Sequence, residues 1–184
     1  MSPAGFMELL RHGDTGQSGF RGRLDDPLTP LGVRQMEQAL QEAPPWHAVF
    51  SSPRLRCAAF AQDYAQRLGL PLHLEERLSE LDFGAWEGVP IADIQRLQPE
   101  LLGKFWQDPW NNSPPQGESL PAFEQRIRAI LHDIQQRHTQ QRVLVITHAG
   151  VIRVALTITG QLPPQALLQH PIPHASRHRL EYGL

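Results

Sequence analysis

Residues 143–147 read Val-Leu-Val-Ile-Thr, an unbroken and largely β-branched run. In a strand, successive side chains point to opposite faces, so a run that is apolar at both sets of positions needs cover on both sides. That is the position of a central strand in a parallel sheet with helices above and below. The flanks agree with it. Leu120 to His138 carries the longest helical pattern in the chain, and a further helix is expected from Gly150 to about Thr159.

The same alternation runs through the rest of the sequence. Ala4 to Leu10 reads as a strand. Thr29-Pro30 opens a helix, with threonine as N-cap and proline in the first turn, that runs to about Glu42. Ala48–Ser51 is a short buried strand, Pro53 to Leu68 a helix stopped by Gly69, and Pro71 to Leu74 a third strand. Short helical stretches are expected at Ile91–Leu97 and Pro99–Trp106, inside an irregular region in which residues 91–117 form a candidate lid. No repeat or long linker divides the 184 residues, so one domain spanning 1–184 is expected. The predicted architecture is a three-layer α/β/α sandwich around a mainly parallel central sheet.

Composition narrows the partners. The net charge is −2 and Lys104 is the only lysine, so no electrostatic case exists for a nucleic-acid partner. No apolar run is long enough to cross a membrane, and the N-terminus lacks the pattern of a signal peptide. Cys57 is the only cysteine, which excludes an internal disulfide and fits a reducing compartment. A chain that starts near Met1 and stays in the cytoplasm is expected, as a monomer or a homodimer.

Ligands of parallel sheets bind beyond the carboxyl ends of the strands. Two strands here run into histidine: the first into Arg11-His12-Gly13 and the strong central one into His148-Ala149-Gly150. Ser51-Ser52-Pro53-Arg54-Leu55-Arg56 places arginines where the second strand gives way to a helix. Glu80 lies in the irregular segment Ser79-Glu80-Leu81-Asp82-Phe83-Gly84. Arginine forks and helix-start amides suit a phosphoryl group. A neutral imidazole can attack phosphorus, neighbouring cations hold it neutral, and a carboxyl can protonate the departing oxygen. A single histidine after a strand is more simply a cap or a solvated side chain. The set taken together is what argues for chemistry. No His-rich or Cys-rich ligand spacing accompanies it, so neither a metal nor a cofactor is expected.

The pieces Leu10-Arg11-His12-Gly13-Asp14-Thr15, Ser51-Ser52-Pro53-Arg54-Leu55-Arg56, Glu80 to Gly88, Gly117-Glu118-Ser119 and Thr147-His148-Ala149-Gly150-Val151 resemble, in order and over nearly the whole chain, the histidine phosphatase or phosphoglycerate mutase-like superfamily. The resemblance implies a metal-independent phosphomonoester hydrolase working on a small-molecule phosphate ester. It makes His12 the nucleophile, Arg11 and Arg56 phosphate ligands, His148 a second histidine that hydrogen-bonds the phosphoryl oxygens, and Glu80 the proton donor. Two positions depart from the family pattern: Gln17 stands where asparagine is common, and Ala149 where glycine is common. Both are expected to touch substrate still, Ala149 through its backbone amide.

Gly22 to Thr29, Arg56-Cys57-Ala58, Phe105 to Pro109 and Pro115 to Glu118 are similar to the α-ribazole phosphatase branch, which removes the 5′-phosphate of a benzimidazole nucleotide in cobalamin lower-loop assembly. The alternatives are a broad sugar-phosphate phosphatase, a phosphoglycerate mutase, or a non-catalytic module that binds phospho-ligands. The compact, lysine-poor chain disfavours a mutase, and the complete catalytic set disfavours a module. Trp86, Trp106 and Trp110 are candidates to stack on an aromatic base, although packed core is the commoner fate of such residues. Asp82 and Glu87 are expected to be surface or structural residues, Arg54 a solvated helix start, and Cys57 a buried thiol. His170, His174 and His178 are expected to form an exposed edge.

Overall fold

The computed structural model describes residues 5–181. Five strands form one sheet in the order β3-β2-β4-β1-β5. They are β1 (Phe6–Arg11), β2 (Ala48–Ser51), β3 (Leu72–Leu74), β4 (Arg142–Thr147) and β5 (Arg177–Glu181). The first four are parallel, and β5 runs antiparallel to β1 at the edge. Among the described residues six α-helices accompany them: α1 (Pro30–Leu40), α2 (Leu55–Leu68), α3 (Ile91–Leu97), α4 (Pro99–Gln107), α5 (Leu120–Arg137) and α6 (Ala149–Ile158). Among the described residues no helix is long and apolar enough to cross a membrane.

The two-residue period of the strands sorts the core into two layers. Phe6, Leu10, Leu144 and Ile146 face α1 and α2, where they meet Met36, Leu40, Cys57 and Phe60. Met7, Leu9, Val143 and Val145 face the other way, onto Phe123, Ile127, Ile130 and Leu131 of α5 and Val151 and Ile152 of α6. Ile94, Leu102 and Phe105, from α3 and α4, join this second layer. The sequence reading of the central strand therefore holds: every side chain from Val143 to Thr147 is buried.

The predicted boundaries are met within a few residues. The strand read from Ala4 begins at Phe6, Ala4 lying outside the described residues, and the helix read from Pro53 begins at Leu55. Thr29 caps α1, its Oγ1 accepting from the Gly32 amide at 3.0 Å, and Gly69 ends α2 in the left-handed conformation at φ 63°. The sequence reading missed β5. Its residues, Arg-His-Arg-Leu-Glu, bury only Leu180, and the strand forms because it pairs along β1. It also delivers Arg177, whose Nε donates at 2.5 Å to Glu8, an acid buried in the middle of β1.

Candidate active site

Three adjacent strands, β2, β4 and β1, end at one rim. The His12 amide donates to Thr147 O and the Ser52 amide to Ile146 O, both at 3.0 Å, so the residues just past each strand stay registered on β4. Gly13 passes so close to the start of α1 that a Cβ there would lie 2.1 Å from Gly32 O. Only glycine lets the chain turn under that helix.

His12 is buried and its Nδ1 lies 2.8 Å from Gly13 O. A carbonyl only accepts, so Nδ1 carries the proton and Nε2 keeps its lone pair. Burial, reinforced by the charges of Arg56 and Arg11, pushes the imidazole down to about 3, against an opposing contribution from the Gly13 hydrogen bond. The ring is therefore neutral across the physiological range and has a free nucleophilic nitrogen.

Behind it, at 5.3 Å between ring centres, stands His148, fully buried. Its Nδ1 accepts from Arg56 Nε at 3.3 Å, which leaves Nε2 to donate to Ser52 Oγ at 2.8 Å. Burial, then Arg56, holds this imidazole well below its usual range. Protein groups thus engage both ring nitrogens of His148 in this arrangement. Arg56 is committed as well. Its Nη1 donates to Leu24 O at 2.6 Å, and its Nη2 to Arg21 O at 2.9 Å and Gly22 O at 3.1 Å. At the start of α2 the Leu55 amide donates to Asp25 at 2.6 Å. Cys57 is a buried thiol, as expected; its Sγ lies 3.7 Å from His148 Nε2, and burial raises it to about 12.

Glu80 comes from an irregular segment, yet its carboxylate is fixed. Oε1 accepts from the Leu81 amide and Oε2 from the Gly150 amide, both at 3.0 Å. A Cβ on Gly150 would lie 2.2 Å from Oε1, whereas position 149 carries an alanine. Of the two positions after His148, it is the second whose lack of a side chain makes room for the Glu80 carboxylate. The backbone around Glu80 is clamped from α5 by Arg126, which donates to the carbonyls of Arg77, Ser79 and Glu80 and pairs with Glu118 at 2.8 Å. Arg126 escaped the sequence reading. The signal was Glu118, an acid in the Gly-Glu-Ser turn that needs a cation.

Arg11, His12, Arg56 and Glu80 line one cavity of about 150 Å³, with Gln17 exposed at its rim. Arg11 donates from Nη1 to Ile172 O at 2.5 Å and has a buried Nε without a partner. Ala149 is not on this wall; its side chain packs against the second core layer. Arg21, Asp26 and His174 also line the cavity. Arg21 and Asp26 form a two-point ion pair at 2.5 and 2.6 Å. His174 stands 5.8 Å from the His12 ring, centre to centre. This corrects the reading of His174 as part of an edge away from the site. The antiparallel β5 returns the chain to β1, and the segment leading into it passes over His12: the Ala175 amide donates to His12 O at 3.3 Å.

A second cavity, of about 190 Å³, adjoins the first and shares Phe20, Glu80 and Phe83 with it. Phe105, Trp106, Leu167, Leu168 and Arg153 line it further. Of the tryptophans, Trp86 is core, with its Nε1 donating to Gln98 at 2.8 Å, while Trp106 stays 42% exposed on the cavity wall. Among the described residues no group of three or more His, Cys, Asp or Glu side chains stands together as a metal site.

An α/β/α sandwich that brings a neutral imidazole, two guanidiniums and a carboxyl to its strand ends defines a protein built to handle phosphoryl groups. Residues 7–183 match the model of the histidine phosphatase superfamily (branch 1), and the chain belongs to that family and is one of its phosphatases. Phosphoserine phosphatase 1 of Hydrogenobacter thermophilus is 28% identical over 150 residues, covering 79% of this chain and 71% of that one. The adenosylcobalamin/α-ribazole phosphatase of Escherichia coli is 26% identical over 165 residues, covering 86% and 81%. Among solved structures, Bacillus stearothermophilus YhfR superposes with a TM-score of 0.87 at 28% identity, over 97% of this chain and 91% of that one.

Proposed function

We propose that the chain hydrolyses phosphomonoesters without a metal, through a phosphohistidine on His12. The observation that carries this reading is the tautomer of His12: Nδ1–H is committed to Gly13 O, and Nε2 is left unprotonated in a cavity lined by Arg11 and Arg56. In the first step Nε2 bonds to phosphorus, the bond from phosphorus to the ester oxygen breaks, and the proton of Glu80 goes to that oxygen. In the second, Glu80 takes a proton from water, the water oxygen bonds to phosphorus, and the phosphorus–nitrogen pair returns to Nε2. Arg11 and Arg56 hold the phosphoryl oxygens throughout, and His148 acts on them by orienting Arg56. Holding that charge in place is where most of the catalysis of phosphoryl transfer resides.

For the ester, we put α-ribazole 5′-phosphate first. Its flat base suits the aromatic wall beside Glu80, and the Escherichia coli relative supports the reading. A phosphate ester with a carboxylate on its alcohol is the second reading. Arg153 in the same cavity favours it, as does the Hydrogenobacter relative.

The test is acid- and base-quenched rapid mixing with a ³²P-labelled aryl phosphate in the presence of chelator. We expect a burst of label that is stable to alkali and lost in acid. The same label should accumulate in Glu80→Gln and be absent from His12→Ala, with turnover in the latter down at least about 10⁴-fold. Unimpaired turnover by His12→Ala overturns the nucleophile, and turnover that stops with chelator overturns metal independence.

A further inference from the structure

Several arginines at partly covered positions carry carboxylate partners: Arg21 with Asp26, Arg77 with Glu75 and Asp133, Arg126 with Glu118, Arg177 with Glu8. Three others that line the two joined cavities form no ion pair among the described residues: Arg11, Arg56 and Arg153. Arg11 and Arg56 face the place of the phosphoryl group. Arg153 does not. It rises from the second turn of α6 into the cavity on the far side of Glu80, where the walls are Phe105, Trp106 and Leu168.

The position of Glu80 between the cavities gives them different occupants. A group that protonates the departing oxygen must sit between phosphorus and the alcohol. With the phosphoryl group against His12, the alcohol extends past Glu80 into the apolar cavity. Among the described residues Arg153 is tied there at one point only, its Nε donating to His170 O at 2.8 Å. The carboxylate facing it is Glu80, and burial already disfavours the guanidinium. Once Glu80 carries the proton that the first step requires, a half-buried cation is left among aromatic rings without a counter-charge. Uncompensated charge in such surroundings is unfavourable unless something supplies an acceptor.

We propose that Arg153 is a specificity-determining residue that holds a hydrogen-bond acceptor of the leaving alcohol, a carboxylate above all, while the body of that alcohol lies against Trp106 and Phe105. The substrate class is then a phosphomonoester whose alcohol joins an apolar, preferably flat body to such an acceptor. A ring nitrogen of an aromatic base belongs to the same chemistry, and a carboxylate is its strongest member because it meets the guanidinium fork at two points. The inference rests on the phosphatase reading and says what that site selects.

The test compares 4-carboxyphenyl phosphate with phenyl phosphate in the wild type, Arg153→Ala and Arg153→Lys. The quantity read is the ratio of their kcat/KM values, in which losses through folding or altered Glu80 placement cancel. We expect a wild-type ratio of about tenfold or more in favour of the carboxylate, carried mainly by KM. It should fall to near one in Arg153→Ala and be partly retained in Arg153→Lys. A ratio equal in wild type and Arg153→Ala overturns the proposal while leaving the phosphatase intact. Failure of the wild type to hydrolyse either ester overturns the phosphatase reading instead.

Discussion

The two cavities that meet at Glu80 are built by opposite means. The phosphoryl side is assembled at the ends of β1, β2 and β4, and its polar atoms are largely bonded to one another before substrate arrives. The other side, proposed above for the alcohol, is assembled from Phe20, the irregular chain and short helices of residues 80–109, residues 167–168 and the first turns of α5 and α6, and its walls are mostly apolar. Strand ends fix the direction of a few hydrogen bonds; an apolar wall only needs to offer a surface of the right shape. On the proposed reading, one region suits chemistry common to many esters and the other suits choosing among them.

That contrast is testable at its seam. Gly150→Ala puts a methyl where the Glu80 carboxylate rests. The clash falls on the end of a flexible side chain, so the protein should fold with little change in melting temperature while the acid swings out of place. We expect kcat for an alkyl phosphate to fall about 10²–10³-fold, and less for 4-nitrophenyl phosphate, whose leaving group needs little protonation. Equal losses on both esters would show that Gly150 serves the phosphoryl side as well. Next in size, Trp106→Ala removes wall from the alcohol side alone. It should lower kcat/KM for 1-naphthyl phosphate about tenfold more than for methyl phosphate. A uniform loss across both esters would break the division of labour.

The smallest effect concerns the phosphoryl side and appears in stability. His12 and His148 are neutral in the folded chain, and both imidazoles are held below their usual range. Below about pH 6.5 the unfolded chain takes up these protons and the folded chain does not, so stability falls with pH until His12 titrates near 3. Each such histidine contributes a slope of up to about 1.4 kcal/mol per pH unit. Melting temperatures across this window should fall less steeply in His12→Gln than in the wild type; an unchanged slope would mean that His12 is not held neutral.

The same division governs what could be read in the sequence. Phe6 to Leu10, apart from Glu8, and Val143 to Ile146 are apolar because they are covered on both faces, and their strand ends follow directly in the chain, so His12, Arg11 and His148 stood out. What escaped was set by contacts distant in sequence. Arg126 reaches Glu80 from α5, His174 arrives through a strand that buries only Leu180, and Arg153 looks like an ordinary charged residue on an apolar helix. The second role of His148 was hidden too, since only the fold shows that Arg56 and Ser52 occupy its ring.

The carbonyls of Arg21, Gly22 and Leu24 that hold Arg56 bear on how the reaction ends. They give the guanidinium partners when nothing is bound, so a phosphate entering the site exchanges contacts and gains only the difference between new and old. The transferring phosphoryl group, with its charge spread over three equatorial oxygens, gains most from that exchange. In the proposed reaction inorganic phosphate would gain less, and the carbonyls of Arg21, Gly22 and Leu24 would take the arginine back as it departs. On that reading the loop over residues 21–24 is a returning tenant, and it favours turnover over retention of product.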